Sequence, residues 1–468
     1  MPEAGLRAKV ALARAAGALS RASRRGGGTS FPGKLLLRLE PHAIERLGRR
    51  LDRGTVVISA TNGKTTTSGM IAAILMQAGI YPVHNRAGAN MPGGVATALL
   101  EQTRAGGIPS SMGVFEVDEA WLGSVVADLS PSTVLLGNLF RDQLDRYGEL
   151  EKLADDWGAL VGERAGRTSF VLNADDPLVA DVGRDAGGSV RERVTYFGLE
   201  DRAHALERIE HASDAKHCRR CGAAYRYSAA YLGHLGVYEC PRCGNARPAP
   251  SVAARDVKLH GMRGTRFTLT SPAGEVEISL PRPGLYNVYN ATAAAAGALQ
   301  LGATLEQVKE GLRLGSVAFG RAETVDLGDR EAAILLVKNP AGANEVFRTL
   351  AGAAADDGGE LDVWMVLNDR IADGRDVSWI WDADFETLAP TARRVICSGT
   401  RAEELALRFK YAGVEQRRIE VVPPLERGFD RAVGGSSERA LYVLPTYTAL
   451  LELRDVLADR GYAPPFWE

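Results

Sequence analysis

The 468-residue sequence predicts an α/β protein: a phosphate-loop domain carrying an inserted four-cysteine ribbon, followed by a Rossmann-like α/β domain. Three observations predict it. A β-branched apolar run, "TVVISA" (55–60), leads through "TNGKTTT" into a segment whose Met70, Ile71, Ile74 and Leu75 recur at helical spacing. Further short apolar runs ending in acids alternate with helical segments, the pattern of a parallel sheet with ligands at the carboxyl ends of its strands. Cys218, Cys221, Cys240 and Cys243 form CxxC-x18-CxxC, a spacing that suits four-thiolate zinc.

Size sets the outer bounds. A chain of 468 residues with 45% hydrophobic content exceeds one core and divides into domains. We place a basic N-terminal segment at 1–53, the phosphate-loop domain at 54–323 with the ribbon inserted at 214–250, and the C-terminal domain at 324–468. A net charge of -2 argues against a general nucleic-acid binder. Without an apolar run of about 18 residues or a signal-peptide core, the sequence predicts a cytoplasmic protein. Four of the five cysteines paired as CxxC suit a reducing compartment.

Residues 1–53 carry twelve Lys or Arg against four Asp or Glu, with Leu6, Val10, Leu12 and Leu19 interleaved. This is either a solvated helix face or a basic surface for an anionic membrane or a phosphate-bearing substrate. At the phosphate loop, backbone N–H groups and the positive helix end would face an anion. Lys64 would reach the outer phosphates and a Thr hydroxyl would hold Mg²⁺. Ala60 stands where such loops usually begin with Gly, so the pattern is A-x-x-G-K-T-T.

Three later stretches add acids at strand ends. "GVFEVDEAW" (113–121) carries Glu116, Asp118 and Glu119, a place for a second Mg²⁺ contact; "VLLGNLFRDQLDRYGE" (134–149) and "FVLNADDP" (170–177) follow. In the ribbon, four thiolates saturate tetrahedral zinc, so that metal is structural. Its Tyr225, Tyr227, Tyr231, His234 and Tyr238 either pack the ribbon's core or stack bases. From 324 onward, "AAILLV", "VWMVL", "RRVICS" and "ALYVLP" alternate with helical segments. All seven histidines lie at or before His260, and Cys397 lacks a nucleophile's framing, so this region has no Cys-His dyad of its own.

"ATNGKTTT", the Glu116 strand, "RDQLDRYG", "LNADDP", "RPGLYNVYNATAAAA" (282–296) and "FGRAE" (319–323) together resemble the ATPase domain of the Mur ligases, the ATP-dependent ligases of peptidoglycan precursor synthesis. Within that family the chain is most similar to the MurT branch, synthetase subunits of lipid II isoglutaminyl synthase. The likeness to that branch rests on "NLFRDQLDRYGE", the cysteine pairs, "VKNPAGANEV" (337–346), "ADGRDVSWIWD" (372–382) and "LPTYTALLELR" (444–454). The resemblance implies a Mur ligase-like fold and ATP, Mg²⁺ and structural Zn²⁺ as bound groups. Asn62, Gly63, Lys64, Thr65 and Thr66 would hold the ATP phosphates, and Thr65 and Glu116 the Mg²⁺. Asn287 and Asn290 would face the adenine, and Arg321 would close on the nucleotide. Gln143 stands where typical Mur ligases carry a metal-holding His, a departure that the MurT branch shares.

The resemblance also implies a heterodimer with a separate glutaminase, GatD, whose Cys and His lack their third member. Asp376, with Asp373 next, would supply it; equally, Asp376 caps the turn before the helical segment. Trp379 and Trp381 would suit the interface. The implied reaction amidates the D-Glu α-carboxylate of lipid II through an acyl phosphate, at the inner face of the membrane. Two alternatives stand beside it: a stand-alone Mur or folylpolyglutamate-synthetase-like ligase that joins an amino acid, and a non-catalytic nucleotide-sensing module that docks through its ribbon.

Overall fold

The computed structural model describes all residues except 1, 23–29, 86–88, 104–111, 143–149, 211–212, 316–320, 357–358, 435–438 and 464–468. Strands β1 (Thr55–Ser59), β2 (Val83–His84), β3 (Gly113–Glu116), β4 (Thr133–Leu136), β5 (Ser169–Asn173) and β6 (Val194–Leu199) are parallel. Next come the hairpin β7 (Arg226–Leu232) and β8 (Leu235–Glu239), and then β9 (Val252–Leu259), β10 (Thr265–Ser271) and β11 (Gly274–Leu280). The first sheet runs β11-β10-β9-β6-β5-β4-β1-β3-β2, antiparallel only where β9, β10 and β11 meet.

Both faces of its centre are buried, because successive side chains of an all-apolar strand point to opposite sides. Val57, Val134 and Phe170 enter one core, while Val56, Ile58, Leu135 and Val171 enter the other. The helices Lys64–Gln77 and Leu285–Gln300 cover the second of these faces, with Ile71 and Ala294 among its buried residues.

Strands β12 (Arg321–Asp326), β13 (Glu331–Leu335), β14 (Leu361–Val366), β15 (Ala392–Ser398), β16 (Ile419–Val421) and β17 (Leu441–Pro445) form a second sheet, in the order β12-β13-β17-β14-β15-β16. Only β12 is antiparallel. Arg321 thus opens the first strand of this sheet. Val363 and Met365 pack on one of its faces, Trp364 and Val366 on the other. Cys397 lies fully buried in β15, where desolvation pushes its thiol far above the ordinary value, as befits a core residue.

The basic N-terminal segment folds onto the first domain. Leu6, Val10 and Ala13 of the helix Pro2–Ala22 join the core, and Arg14 donates to the carbonyls of Leu100 and Glu101 at 2.6 and 2.7 Å. Leu12 and Leu19 stay exposed. Among the described residues, no helix is long and apolar enough to cross a membrane.

Candidate active site

The loop after β1 is fixed by both its conformation and its neighbours. Gly63 has φ +88°, and a Cβ there would lie 2.0 Å from Asn290 Oδ1, so a side chain is excluded twice over. Asn138, just past β4, braces the loop: its Oδ1 accepts from Asn62 N at 2.9 Å and its Nδ2 donates to Asn62 O at 3.0 Å. Thr61 Oγ1 accepts from Phe140 N at 3.0 Å.

Lys64 opens the helix and is buried. Its Nζ turns back to Ala60 O at 2.5 Å and pairs with Glu119 Oε2 at 2.7 Å. Burial works against the ammonium charge, but Glu119, with Asp118 and Asp142 farther off, outweighs it and holds the group above its ordinary value. Thr65 is half-buried on the first helical turn and Thr66 is buried. Glu116 ends β3 directly beside Ile58 of β1, fully buried. Its backbone is clamped by Asn85, whose Oδ1 accepts from Glu116 N at 2.9 Å and whose Nδ2 donates to Glu116 O at 2.8 Å. Of the three acids in "EVDE", Glu119 is the one that grips Lys64.

The second domain reaches into this loop. Lys338, three residues past β13, donates to Thr61 O at 3.2 Å and pairs with Asp142. Asn339 and Asn62 exchange amide hydrogen bonds at 3.0 and 3.3 Å. A cavity opens beside these groups, lined by Gly63, Asn138, Asn290, Leu335 and Lys338 among others. Asn290 therefore faces both the loop and the cavity. Asn287 is engaged by Pro283 O at 2.8 Å and by Asn290 at 3.3 Å. The side chain of Arg321 and all of Gln143 lie outside the described residues.

The four cysteine Sγ atoms lie within 4.8 Å of one another. Two matching turns present them: Gly222 N donates to Cys218 O at 2.7 Å and Gly244 N to Cys240 O at 3.0 Å, with both glycines at positive φ. Four thiol sulfurs this close, on two turns of the same shape, fit one tetrahedral zinc. Tyr225, Tyr227 and Tyr238 pack on one another, with ring centroids 5.0 to 6.4 Å apart, and against the core of the first domain.

In the second domain the two candidate aspartates have different surroundings. Asp373 is buried, and Thr448 occupies both its oxygens: the backbone N–H donates to Oδ1 at 2.7 Å and the hydroxyl to Oδ2. Burial raises its carboxyl above the ordinary value. Asp376 is exposed; the Ser378 hydroxyl, and the Ser378 N–H 2.8 Å from Oδ1, hold the carboxyl below its ordinary value. Trp381 is 49% exposed, packed 5.7 Å from Tyr411, while Trp379 is half-buried against the domain core.

Comparison with known proteins matches residues 58–240 to the Mur ligase middle domain and 336–450 to the MurT ligase C-terminal domain. The chain is 31% identical to the lipid II isoglutaminyl synthase (glutamine-hydrolyzing) subunit MurT of Streptococcus pneumoniae, over 94% of each chain. The chain belongs to the MurT family. The MurT subunit of Staphylococcus aureus is likewise 31% identical, over 93% of this chain and 95% of the relative. Among solved structures, the pseudomurein peptide ligase type C of Methanothermus fervidus superposes with TM-score 0.66 at 23% identity, covering 89% of this chain and 80% of that one; it shares the fold. The expected Mur ligase-like architecture is thus the one observed, and the chain is an ATP-dependent ligase by family. The MurT-type C-terminal match contains Lys338, Asp373, Asp376 and Thr448.

Sequence reasoning missed Lys338, Asn339 and Asn138. The stretch "VKNPAGANEV" carries part of the likeness to the MurT branch, but that its Lys reaches the phosphate loop depends on a contact across 277 positions of chain.

Proposed function

We propose that this chain is the synthetase subunit that amidates the D-Glu α-carboxylate of lipid II to D-isoglutamine, using ATP, Mg²⁺ and ammonia supplied by a GatD-type glutaminase. The end-to-end match to MurT subunits carries the reading. A carboxylate is a poor acceptor for ammonia because its leaving group is oxide. Attack of a carboxylate oxygen on the γ-phosphorus expels ADP and leaves an acyl phosphate. Ammonia then attacks the carbonyl carbon, expels phosphate and loses a proton to give the amide.

The residues divide this work between them. The loop residues Asn62 to Thr66 cradle the phosphates, since Gly63 lets the backbone approach and the helix dipole favours an anion. Lys64, paired with Glu119, and Lys338, brought by the second domain and paired with Asp142, would supply two cations to the developing phosphoryl charge. Thr65 and Glu116 would hold Mg²⁺, whose charge would offset that of the phosphates. Asn290, which lines the cavity, would face the adenine with Asn287 bonded behind it, and Arg321, which opens the first strand of the second sheet, would close on the nucleotide.

Asp376 is the better candidate than Asp373 for completing the partner's Cys-His pair. It is exposed where a partner can reach it, whereas Asp373 is buried with both oxygens on Thr448. Exposed Trp381 and Tyr411 lie in the same domain and suit the subunit contact. A lipid-linked substrate puts the chain at the inner face of the membrane. The test is phosphate release from ATP by the purified chain: it should require both lipid II and ammonium. Release driven by a free amino acid instead would favour the stand-alone ligase.

A further inference from the structure

The zinc ribbon is the one strong sequence feature to which the amidation chemistry gives no work. Its position supplies some. The hairpin β7–β8 runs from the cysteine cluster to a tip at Leu232–Leu235, and Leu232 and Leu235 form an apolar wall of the cavity beside Gly63 and Asn290. They belong to the same buried cluster as Phe140, Leu285 and Tyr289 of the surrounding domain.

The tip is seated on the first sheet. Gly236 N donates to Asp175 O at 2.9 Å, and His234 Nε2 lies 3.4 Å from Asp176 Oδ2 with its ring 4.6 Å from that of Phe140. Gly233 takes φ +57°, and a Cβ there would come within 2.8 Å of the Phe140 ring. At the other end, β8 stops at Glu239, next to Cys240. Tyr227 ties the two ends together: its hydroxyl lies 3.0 Å from both His234 O at the tip and Ala215 O ahead of Cys218. A two-stranded hairpin is marginal on its own, whereas a four-thiolate metal contributes folding energy outright.

We infer that the ribbon's hairpin is the wall that receives the nucleotide's base, and that the metal at its root holds Leu232 and Leu235 in place and thereby sets nucleotide affinity. This rests on the reading of the cavity as the nucleotide site. A flat purine has an apolar face to offer two leucine side chains, while its phosphates engage the loop on the other side of Gly63.

The experiment is calorimetry on the full-length chain with Mg²⁺, comparing a non-hydrolysable ATP analogue with tripolyphosphate, which lacks the base. Leu235→Ala should weaken the analogue about tenfold, the equivalent of about 1.4 kcal/mol, and leave tripolyphosphate unchanged. The chain stripped of zinc and resupplied with Mg²⁺ should show the same selective loss, reversed by zinc. Should the stripped chain unfold, Leu235→Ala carries the test alone. Wild-type affinity for the analogue in Leu235→Ala, or equal losses for both ligands, would overturn the inference. Failure of the wild-type chain to bind either ligand would instead overturn the assignment of the cavity itself.

Discussion

Replacing Lys338 with Met asks whether the second domain brings a working cation to the phosphate loop or merely docks there. Lys338 Nζ sits 3.2 Å from Thr61 O and pairs with Asp142, with the two side chains 25% and 18% exposed. For a pair this accessible to solvent the stability at stake is about 1 kcal/mol or less. A preorganised cation facing developing phosphoryl charge is worth far more, roughly 10² to 10³ in kcat. Lys338→Met should therefore lower ADP release in the presence of lipid II and ammonium by about a hundredfold, while the thermal midpoint of this 468-residue chain shifts by only about 1 °C. Asp142→Asn separates the two roles, since it breaks the same ion pair but leaves the cation. It should cost less than about tenfold. Equal losses in the two variants, or Lys338→Met within about threefold of the wild type, would refute the assignment.

Other perturbations test other parts of the account. Asp376→Asn should lower glutamine-dependent amidation by about 10⁴-fold while ammonium-dependent turnover survives, because only the partner's His loses its orienting carboxylate; Asp373→Asn should instead lower stability, read by thermal unfolding, since an amide with one accepting oxygen cannot take both the Thr448 N–H and its hydroxyl. Gly63→Ala should abolish nucleotide binding, measured by calorimetry, because its Cβ meets Asn290 at a left-handed backbone position. His234 gives a pH-dependent effect. Burial disfavours its cation, but Asp176, with Asp214 and Glu210 beyond, raises its folded pKa above the unfolded value of about 6.5. That stabilisation is fully present below the unfolded value and lost as pH rises through the folded one, so the stability gap between wild type and His234→Asn should be wider near about pH 6 than about pH 9 in denaturant titrations.

Much of this architecture is written locally. "VVIS" is all β-branched or small and fills both faces of a parallel strand; Gly63-Lys64 follows within one turn, and the cysteine spacing alone places four sulfurs around one point. What was not legible depends on long-range approach. That Glu119, not its neighbour Glu116, grips Lys64 is decided by the short helical turn after β3, which no spacing rule ranks. Lys338 reaches Asp142 across 196 positions because β13 ends level with the loop of another sheet. The N-terminal segment reads first as a solvated helix face and second as a basic surface; Leu6 and Val10 instead enter a core, leaving Leu12 and Leu19 on the outside. For the ribbon's tyrosines the sequence favours packing over base stacking, and Tyr225, Tyr227 and Tyr238 do pack, on one another and against the first domain's core.

The most direct test of the central claim is mass spectrometry of lipid II incubated with the purified chain, ATP and Mg²⁺, with ammonium in one tube and glutamine in another. The account predicts that one carboxyl becomes an amide with ammonium, and with glutamine only once the glutaminase partner is added. No amide in any tube, with an amino acid joined to the stem when one is supplied, would contradict it.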